Sequence, residues 1–528
     1  MKAMGFKQSD WMGLLFVLAA SLMICSIVYS NFVLQRGQMM WDEAEHALTG
    51  LAFASDIQKS DFYSLAAHFH QQILWPPLHP LFLSVIFLLF GKSVIAARAS
   101  SVALYFLFSM AMHFLGREVA QKNKHVSGTL CSVFALVTGS FYLSASEAML
   151  EMLALLFFTL SILFFLKFLK DRRNWWLVSA FIMLTFFSKT NFGIALMLSI
   201  AIYLLIHERF RFASIIRNRD YLMMLAPVAL AILLWLMPPD RLLIFLGFLV
   251  NRPEGPPPFS IEGLLLYPTE LFIYSGVLIA LYIAALALSF RHLKNDKVRF
   301  LVIITLLVIL LNFFHQNKKI RYILYLYPPL FSLASFHLAN LYARIKHRRK
   351  QVAFYVLIAA CMAAFSFYLS GNARLYGYSF SVTEPLDFIK NSTENSGSIF
   401  VLGEINEISP GLIGWHLSSI TNMKEIKASA YAVWEFSPGT FDGLKIQNAT
   451  PDAEGMNSFL SRHAFDAIAL MELQNASVFY NTADYLIYNR WKLDYIPIIM
   501  ENRNYSVESR KAFPDSGLEI IILRRSGS

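Results

Sequence analysis

Two adjacent carboxylates, Asp42 and Glu43, follow the first apolar stretch of the chain, with Glu45 and His46 close behind. A carboxylate beside lipid is costly unless water, a cation or a substrate meets it. Asp42 or Glu43 could act as a general base, taking a proton from an acceptor hydroxyl. The pair could instead hold a divalent cation, Mg2+ or Mn2+, against a phosphate leaving group. Asp42 could also simply cap a helix. Two further acids, Glu147 and Glu151, stand one helical turn apart at the start of a later apolar run, Glu151 the deeper. Cations collect in the run His315-Gln316-Asn317-Lys318-Lys319-Ile320-Arg321-Tyr322. Lys318, Lys319 and Arg321, with Tyr322 beside them, suit an anionic substrate, lysine as a point charge and arginine as a planar fork. Lys189, at the junction of two short apolar runs, either joins them or snorkels to the interface. Arg98 is a structural partner for a carboxylate or a further site residue. His46 and His79 are too isolated for a zinc site.

These residues are positioned by a membrane scaffold. The 528 residues are 56% hydrophobic and only 15% charged, a balance that excludes an ordinary soluble protein. The net charge of +10 sits in short clusters between apolar spans and implies no nucleic acid. Cys25, Cys131 and Cys361 offer neither a disulfide framework nor a metal-binding CxxC. Walker, dinucleotide-glycine and HExxH patterns are missing from the sequence, which gives no support to nucleotide-driven or zinc-protease chemistry. The first apolar run, Trp11 to Phe32, lacks a small-residue cleavage site and reads as a retained helix.

Crossing a bilayer takes roughly 17–25 apolar residues. After Trp11–Phe32 the expected spans are Val94–Leu115, Val126–Leu143, Ala148–Leu166, Trp175–Phe187, Ile194–Ile206, Tyr221–Met237, Leu264–Phe290, Phe300–Phe314, Tyr322–Tyr342 and Val352–Leu369, about eleven in all. Leu81–Phe90 is shorter and reads as a surface helix. Basic clusters near Arg117, Lys170, Arg211, Lys294 and Arg348 then share one side with the N-terminus, as the positive-inside bias requires. The first loop, 35–77, and the C-terminus fall on the other side. That loop should hold two amphipathic helices. In the first, Ala44, Ala47, Leu48 and Leu51 share an apolar face, and Asp42, Glu45, His46 and Thr49 a polar one. Ser60-Asp61 caps the second, with Phe62, Leu65, Phe69 and Ile73 on its apolar side. The composition changes after Gly371. Strands Ser398–Gly403, Ala467–Met471 and Leu518–Arg524 alternate with helices Glu384–Asn391, Glu454–Ser461 and Ser477–Tyr488, an α/β pattern. The fold class is a polytopic α-helical membrane protein over residues 1–370 with an extracytoplasmic soluble α/β domain over 371–528.

At these residues the chain resembles the GT-C superfamily of polyprenyl-phosphate-dependent glycosyltransferases, in particular bacterial relatives of the protein O-mannosyltransferases and of the lipid A aminoarabinose transferase. The resemblance rests on four features in order: Asp42-Glu43 after the first span; Pro76-Pro77-Leu78 through Phe90-Gly91 to Ala96-Ala97-Arg98; Ser188-Lys189 ending a span; and Arg321-Tyr322 before Tyr327-Pro328. It implies inverting transfer from a lipid-monophosphate sugar to a lipid, glycan or protein acceptor. The site would face the periplasm from a bacterial inner membrane. Asp42 would be the base, and Glu151 rather than Glu147 the acid expected at the fourth span. Trp75 stands where the aminoarabinose transferases carry a basic residue, so the donor phosphate falls to Lys189 and Lys318–Arg321. A transporter or flippase of lipid-linked sugars, or a non-catalytic envelope assembly protein, is the alternative, although no internal repeat of the transporter kind is apparent.

Overall fold

The structure is a computed structural model. It describes residues 8–34, 39, 41–72, 75–237, 241–243, 246, 259–276, 278–315, 320–345, 353–354, 356–365, 383–402, 410–418, 425–428, 441–442, 445–446, 453–473, 495–514 and 518–526. Lys318, Lys319 and the helix expected over Ser477–Tyr488 lie outside the described residues. Two compact units emerge: Met1–Gln35 with Ala52–Tyr376, and Arg36–Leu51 with Gly377–Ser528.

The larger unit is helical. Helix α1, Gln8–Val28, continues as a π turn over Tyr29–Val33. Helix α2, Trp41–Lys59, contains the partition between the units, and α3 is Phe62–Gln71. Asp61 caps α3 as expected, its carboxylate accepting the Ser64 N–H at 3.0 Å. Phe62, expected on the apolar side, is instead largely exposed. The short apolar helix α4 runs from Leu78 to Phe90, with Pro77 preceding it and Gly91 ending it at a positive φ. Among the described residues six helices are long and apolar enough to cross a membrane: Asp10–Val33, Val94–Val119, Leu150–Phe168, Thr190–His207, Arg219–Leu236 and Asp296–Phe314. Two bent pairs raise the number to as many as eight among the described residues. Reaching the expected eleven requires shorter helices such as Trp175–Ser188 and Tyr327–Tyr342 to cross as well.

The bent pairs correct two expected continuous spans. Helices α5 (Val94–Val119) and α6 (Lys124–Val137) lead to α7 (Gly139–Ala145), which departs from α6 by 67°. The break falls at Thr138-Gly139, where Thr138 is extended and its hydroxyl donates to the Phe134 carbonyl at 2.8 Å. Ile261–Ser275 and Leu278–Ser289 are likewise separate helices, and the first ends on Gly276 at φ +54°. Glycine takes that conformation without a side-chain clash. Helices α5 and α6 approach closely. A Cβ on Gly116 would lie 2.6 Å from the Ser127 carbonyl oxygen, and one on Gly128 2.7 Å from that of His113. Small residues at such crossings let membrane helices pack backbone to backbone. Gly116→Val is expected to cost about 1–3 kcal/mol through overpacking. Thermal unfolding in detergent would show it as a lowered midpoint; an unchanged midpoint would mean that the helices part freely.

In the smaller unit five strands form one sheet: β1 (Ser398–Leu402), β2 (Glu425–Ala428), β3 (Ala467–Leu473), β4 (Tyr505–Phe513) and β5 (Leu518–Arg525), in the order β2-β1-β3-β5-β4. The pairs β2/β1 and β1/β3 are parallel, β3/β5 and β5/β4 antiparallel. Helix Ala453–His463 lays Met456, Phe459 and Leu460 on Phe400, Ile468 and Leu470, which form its core. Asp466, just before β3, accepts the N–H groups of Gly397 and Ser398 at 2.8 and 3.0 Å and ties β1 to β3. The start of α2 belongs to this unit. A Cβ on Gly414, in helix Pro410–Leu417, would meet Leu48 Cδ2 at 2.6 Å, so the helix that carries Asp42 packs there.

Candidate active site

In the larger unit the sequence breaks one apolar stretch at Ser188-Lys189-Thr190. Helices α9 (Trp175–Ser188) and α10 (Thr190–His207) meet at Lys189, which is extended at φ −155° and ψ 109°. Its N–H still reaches the Thr185 carbonyl at 2.9 Å, and its own carbonyl accepts Phe192 and Gly193 at 3.1 and 3.2 Å. One residue thus bonds to both helix ends, and its side chain lies inside the bundle. That side chain is buried, and its ammonium donates to Glu151 Oε1 at 2.7 Å. Glu151 sits in the first turn of α8, Leu150–Phe168. Lys189 Nζ also donates to the Arg321 carbonyl at 3.1 Å. The ion pair therefore holds three separate segments of chain together. The second carboxylate oxygen of Glu151 is buried and meets no hydrogen-bond donor among the described residues. The charge of Arg321 acts on the same carboxylate.

Aromatic rings surround this pair. Lys189 Nζ lies 5.0 Å from the Phe192 ring centre and 5.2 Å from that of Tyr322. The Arg321 guanidinium lies 5.3 Å from the Tyr322 ring and reaches the Tyr322 hydroxyl at 3.4 Å. Beneath, Tyr325 packs on Phe192 at 4.4 Å and on Phe158 at 5.7 Å, and its hydroxyl accepts from Asn312 at 2.7 Å. Arg321 and Tyr322 stand on a single helical turn, Ile320–Ile323, and a 3-10 turn follows. The helix expected from Tyr322 instead begins at Tyr327, where Pro328-Pro329 occupies the first turn and needs no N–H. Arg321 and Tyr322 thus lie on a short separate turn before the helix rather than within it.

Glu151, Lys189, Arg321 and Tyr322, four of the residues singled out from sequence, come together here. Glu147 does not begin the fourth helix with Glu151, because Met149 is extended at φ −114° and leaves Glu147 half-buried in the preceding turn. Arg98 is fully buried on α5, and His79 is fully buried at the start of α4. Asp42, half-buried, and Glu43, buried, occupy the first turn of α2 in the other unit. His46, expected on the polar face of that helix, is buried with Ala44 and Ala47. The apolar stripe is wider than the spacing of alanines and leucines alone implies. Adjacent helical positions point about 100° apart, so a divalent cation at Asp42 and Glu43 would draw further ligands from elsewhere. Among the described residues no group of three His, Cys, Asp or Glu side chains could hold a metal ion.

Sequence reading missed Phe158, Phe192, Asn312 and Tyr325, the packing around the pair. Asn312, a lone amide in an apolar run, was the signal available. It also missed Arg241, buried beyond α12 (Arg219–Leu236), which donates to His70 Nδ1 at 2.9 Å and to the Trp235 carbonyl at 2.7 Å. This contact fastens α3 to the helix bundle of the same unit.

The chain has the GT-C fold of membrane glycosyltransferases. It aligns with the ArnT structure from Cupriavidus metallidurans bound to undecaprenyl phosphate at a TM-score of 0.61 and 13% identity, covering 99% of each chain. The Archaeoglobus fulgidus oligosaccharyltransferase in its apo form gives a TM-score of 0.57 at 12% identity, over 93% of this chain and 73% of that one. The same organism's AglB, in complex with an inhibitory peptide and a dolichol-phosphate, gives 0.52 at 12% identity over 97% and 74%. Residues 75–237 match the family described as dolichyl-phosphate-mannose-protein mannosyltransferase. That segment contains α4, α5, Glu151 and Lys189. No curated protein sequence matches the chain.

Proposed function

We propose that this protein moves a sugar from a polyprenyl-phosphate donor to an extracytoplasmic lipid, glycan or protein acceptor, with inversion at the sugar carbon. The match of residues 75–237 to the mannosyltransferase family carries the reading. The undecaprenyl and dolichol phosphates in the structures of similar fold support the donor class. A polyprenyl phosphate is already a good leaving group. The protein must position two substrates, stabilise phosphate charge and remove one proton. Asp42 takes the proton from the acceptor hydroxyl. Arg321 binds the donor phosphate, with Lys318 and Lys319 adding charge from the same run. Lys189 is engaged by Glu151 and acts by fixing the Arg321 backbone. The remaining Glu151 oxygen is an acceptor for a ligand hydroxyl. No step is assigned to a metal ion.

The planar fork of arginine makes two hydrogen bonds to one phosphate, which lysine does not reproduce. Arg321→Lys is therefore expected to weaken donor binding by about tenfold, the loss of roughly one charge-assisted hydrogen bond. Lys318→Ala should cost less, since a lysine point charge forms no bidentate fork and is more readily screened by salt. Donor binding to purified protein in nanodiscs measures both. Wild-type affinity in each would move the phosphate away from this run.

The basic clusters support an orientation with the first loop and the C-terminal domain opposite the N-terminus, which in a bacterial inner membrane would be the periplasmic side. Membrane-impermeant labelling from outside should reach cysteines introduced at Asn317 and Ser458 but not at Asn123. Labelling at Asn123 would overturn this orientation. Mass spectrometry of envelope glycans with and without the protein tests the activity itself. Loss of one sugar, with no lipid-linked sugar stranded on the inner leaflet, is the expected result. Stranding there would indicate a flippase.

A further inference from the structure

Helix α10 ends at His207 and α12 begins at Arg219, and both are long and apolar enough to span a membrane. The short connection between them cannot move far from the bilayer surface. It carries Arg209, Arg211, Arg217 and Arg219, all exposed. Interleaved with them are Phe210, Phe212 and Ile216, which are 69%, 63% and 64% exposed. Phe212 and Ile216 stand one turn apart on α11, Phe212–Arg217, and share a face. An apolar face flanked by arginines is the composition of a segment lying in a headgroup region.

The connection is built rather than slack. Arg209 and Phe210 both adopt left-handed conformations, φ 53° and 62°, which cost non-glycine residues energy. The turn is held by Glu208, whose two carboxylate oxygens accept the Ser214 hydroxyl at 2.6 Å and the Tyr221 hydroxyl at 3.1 Å. The Ser214 bond, aided by Tyr221, holds the Glu208 carboxyl below its usual range. Asn218 caps α12 through the Asp220 and Tyr221 N–H groups. Arg172, from the connection after α8, stacks between Phe168 and Tyr221 at 4.7 and 4.9 Å and braces the turn from the side. Glu208 is thus occupied internally, and the four arginines are exposed on a fixed frame.

We propose that this turn is a docking surface for anionic phospholipid, with the arginines on headgroup phosphates and Phe212 and Ile216 in the upper acyl region. Charge complementarity and the confinement of the segment between two spans favour a lipid over a soluble protein partner. The proposal rests on the fold alone and not on the sugar-transfer reading.

The test uses the full-length protein in nanodiscs with photoactivatable phosphatidylglycerol or phosphatidylcholine, and mapping of labelled peptides. Phosphatidylglycerol should label peptide 208–219, and excess unlabelled phosphatidylglycerol should compete. Arg217→Gln should lower the labelling about fivefold, the scale of one basic residue at an anionic surface, and Arg217→Lys should keep most of it. Phe212→Ser, which leaves charge intact, should also lower it and serves if loss of an arginine disturbs insertion. Equal labelling by phosphatidylcholine, displacement by inorganic phosphate, or indifference to both Arg217→Gln and Phe212→Ser would each overturn the proposal. Sugar transfer in phosphatidylcholine discs is measured in parallel, so that failure of the lipid site is distinguishable from failure of the enzyme.

Discussion

Asp42→Asn is expected to leave the protein folded and to lower sugar transfer by at least about a hundredfold, the lower range of general-base loss. The substitution keeps shape and removes only basicity. Asp42 is half-buried in the first turn of α2, whereas its neighbour Glu43 is buried. A helix start favours the ionised carboxylate, the form a base needs. Partial exposure lets a large acceptor approach Asp42 in a way that Glu43 does not allow. Glu43→Gln should therefore act more on stability than on turnover. The measurement is initial transfer rate at saturating donor, with thermal unfolding alongside. Transfer by Asp42→Asn near the wild-type rate would remove Asp42 from the mechanism and pass the role to Glu43 or Glu151.

Residues Arg36–Leu51 group with Gly377–Ser528, and Leu48 packs at Gly414. Composition changes after Gly371 but could not reveal that a segment far upstream groups with the C-terminal residues, since such pairing leaves no local periodicity. Within that unit the strands richest in aliphatics, β1, β3 and β5, were legible as buried sheet. The edge strand β4, Tyr505–Phe513, was not, because its exposed Glu508, Arg510 and Lys511 blur the alternation.

In the helical unit, apolar length found most spans and Ser188-Lys189 found the break that matters. The bends at Thr138 and Gly276 were hidden inside unbroken apolar runs, where hydropathy is silent about backbone direction. Lys189 and Glu151 were each legible as costly charges in a membrane. Their pairing, across 38 positions of sequence, was not. Sequence reading gave Lys189 a phosphate to bind. Its ammonium stands against Glu151 and the Arg321 carbonyl, and the role proposed for it is positioning.

That role has the largest expected effect on stability. Lys189→Met removes one partner of a buried ion pair and strands the Glu151 carboxylate, a loss of about 3–5 kcal/mol. Little folded protein should be recovered. Replacing both partners, Lys189→Met with Glu151→Leu, removes the stranded charge, and buried pairs exchanged for apolar groups of similar size are often tolerated. The double variant should therefore regain most of the lost thermal stability. It should not regain donor binding, because the Arg321 carbonyl has lost the Lys189 ammonium that held it at 3.1 Å. Thermal unfolding and donor affinity in nanodiscs, measured across the single and double variants, separate the two effects. If Lys189→Met alone is as stable as wild type, the pair is not a structural clamp. If the double variant binds donor normally, Arg321 needs no brace, and the broken helix must serve some other end.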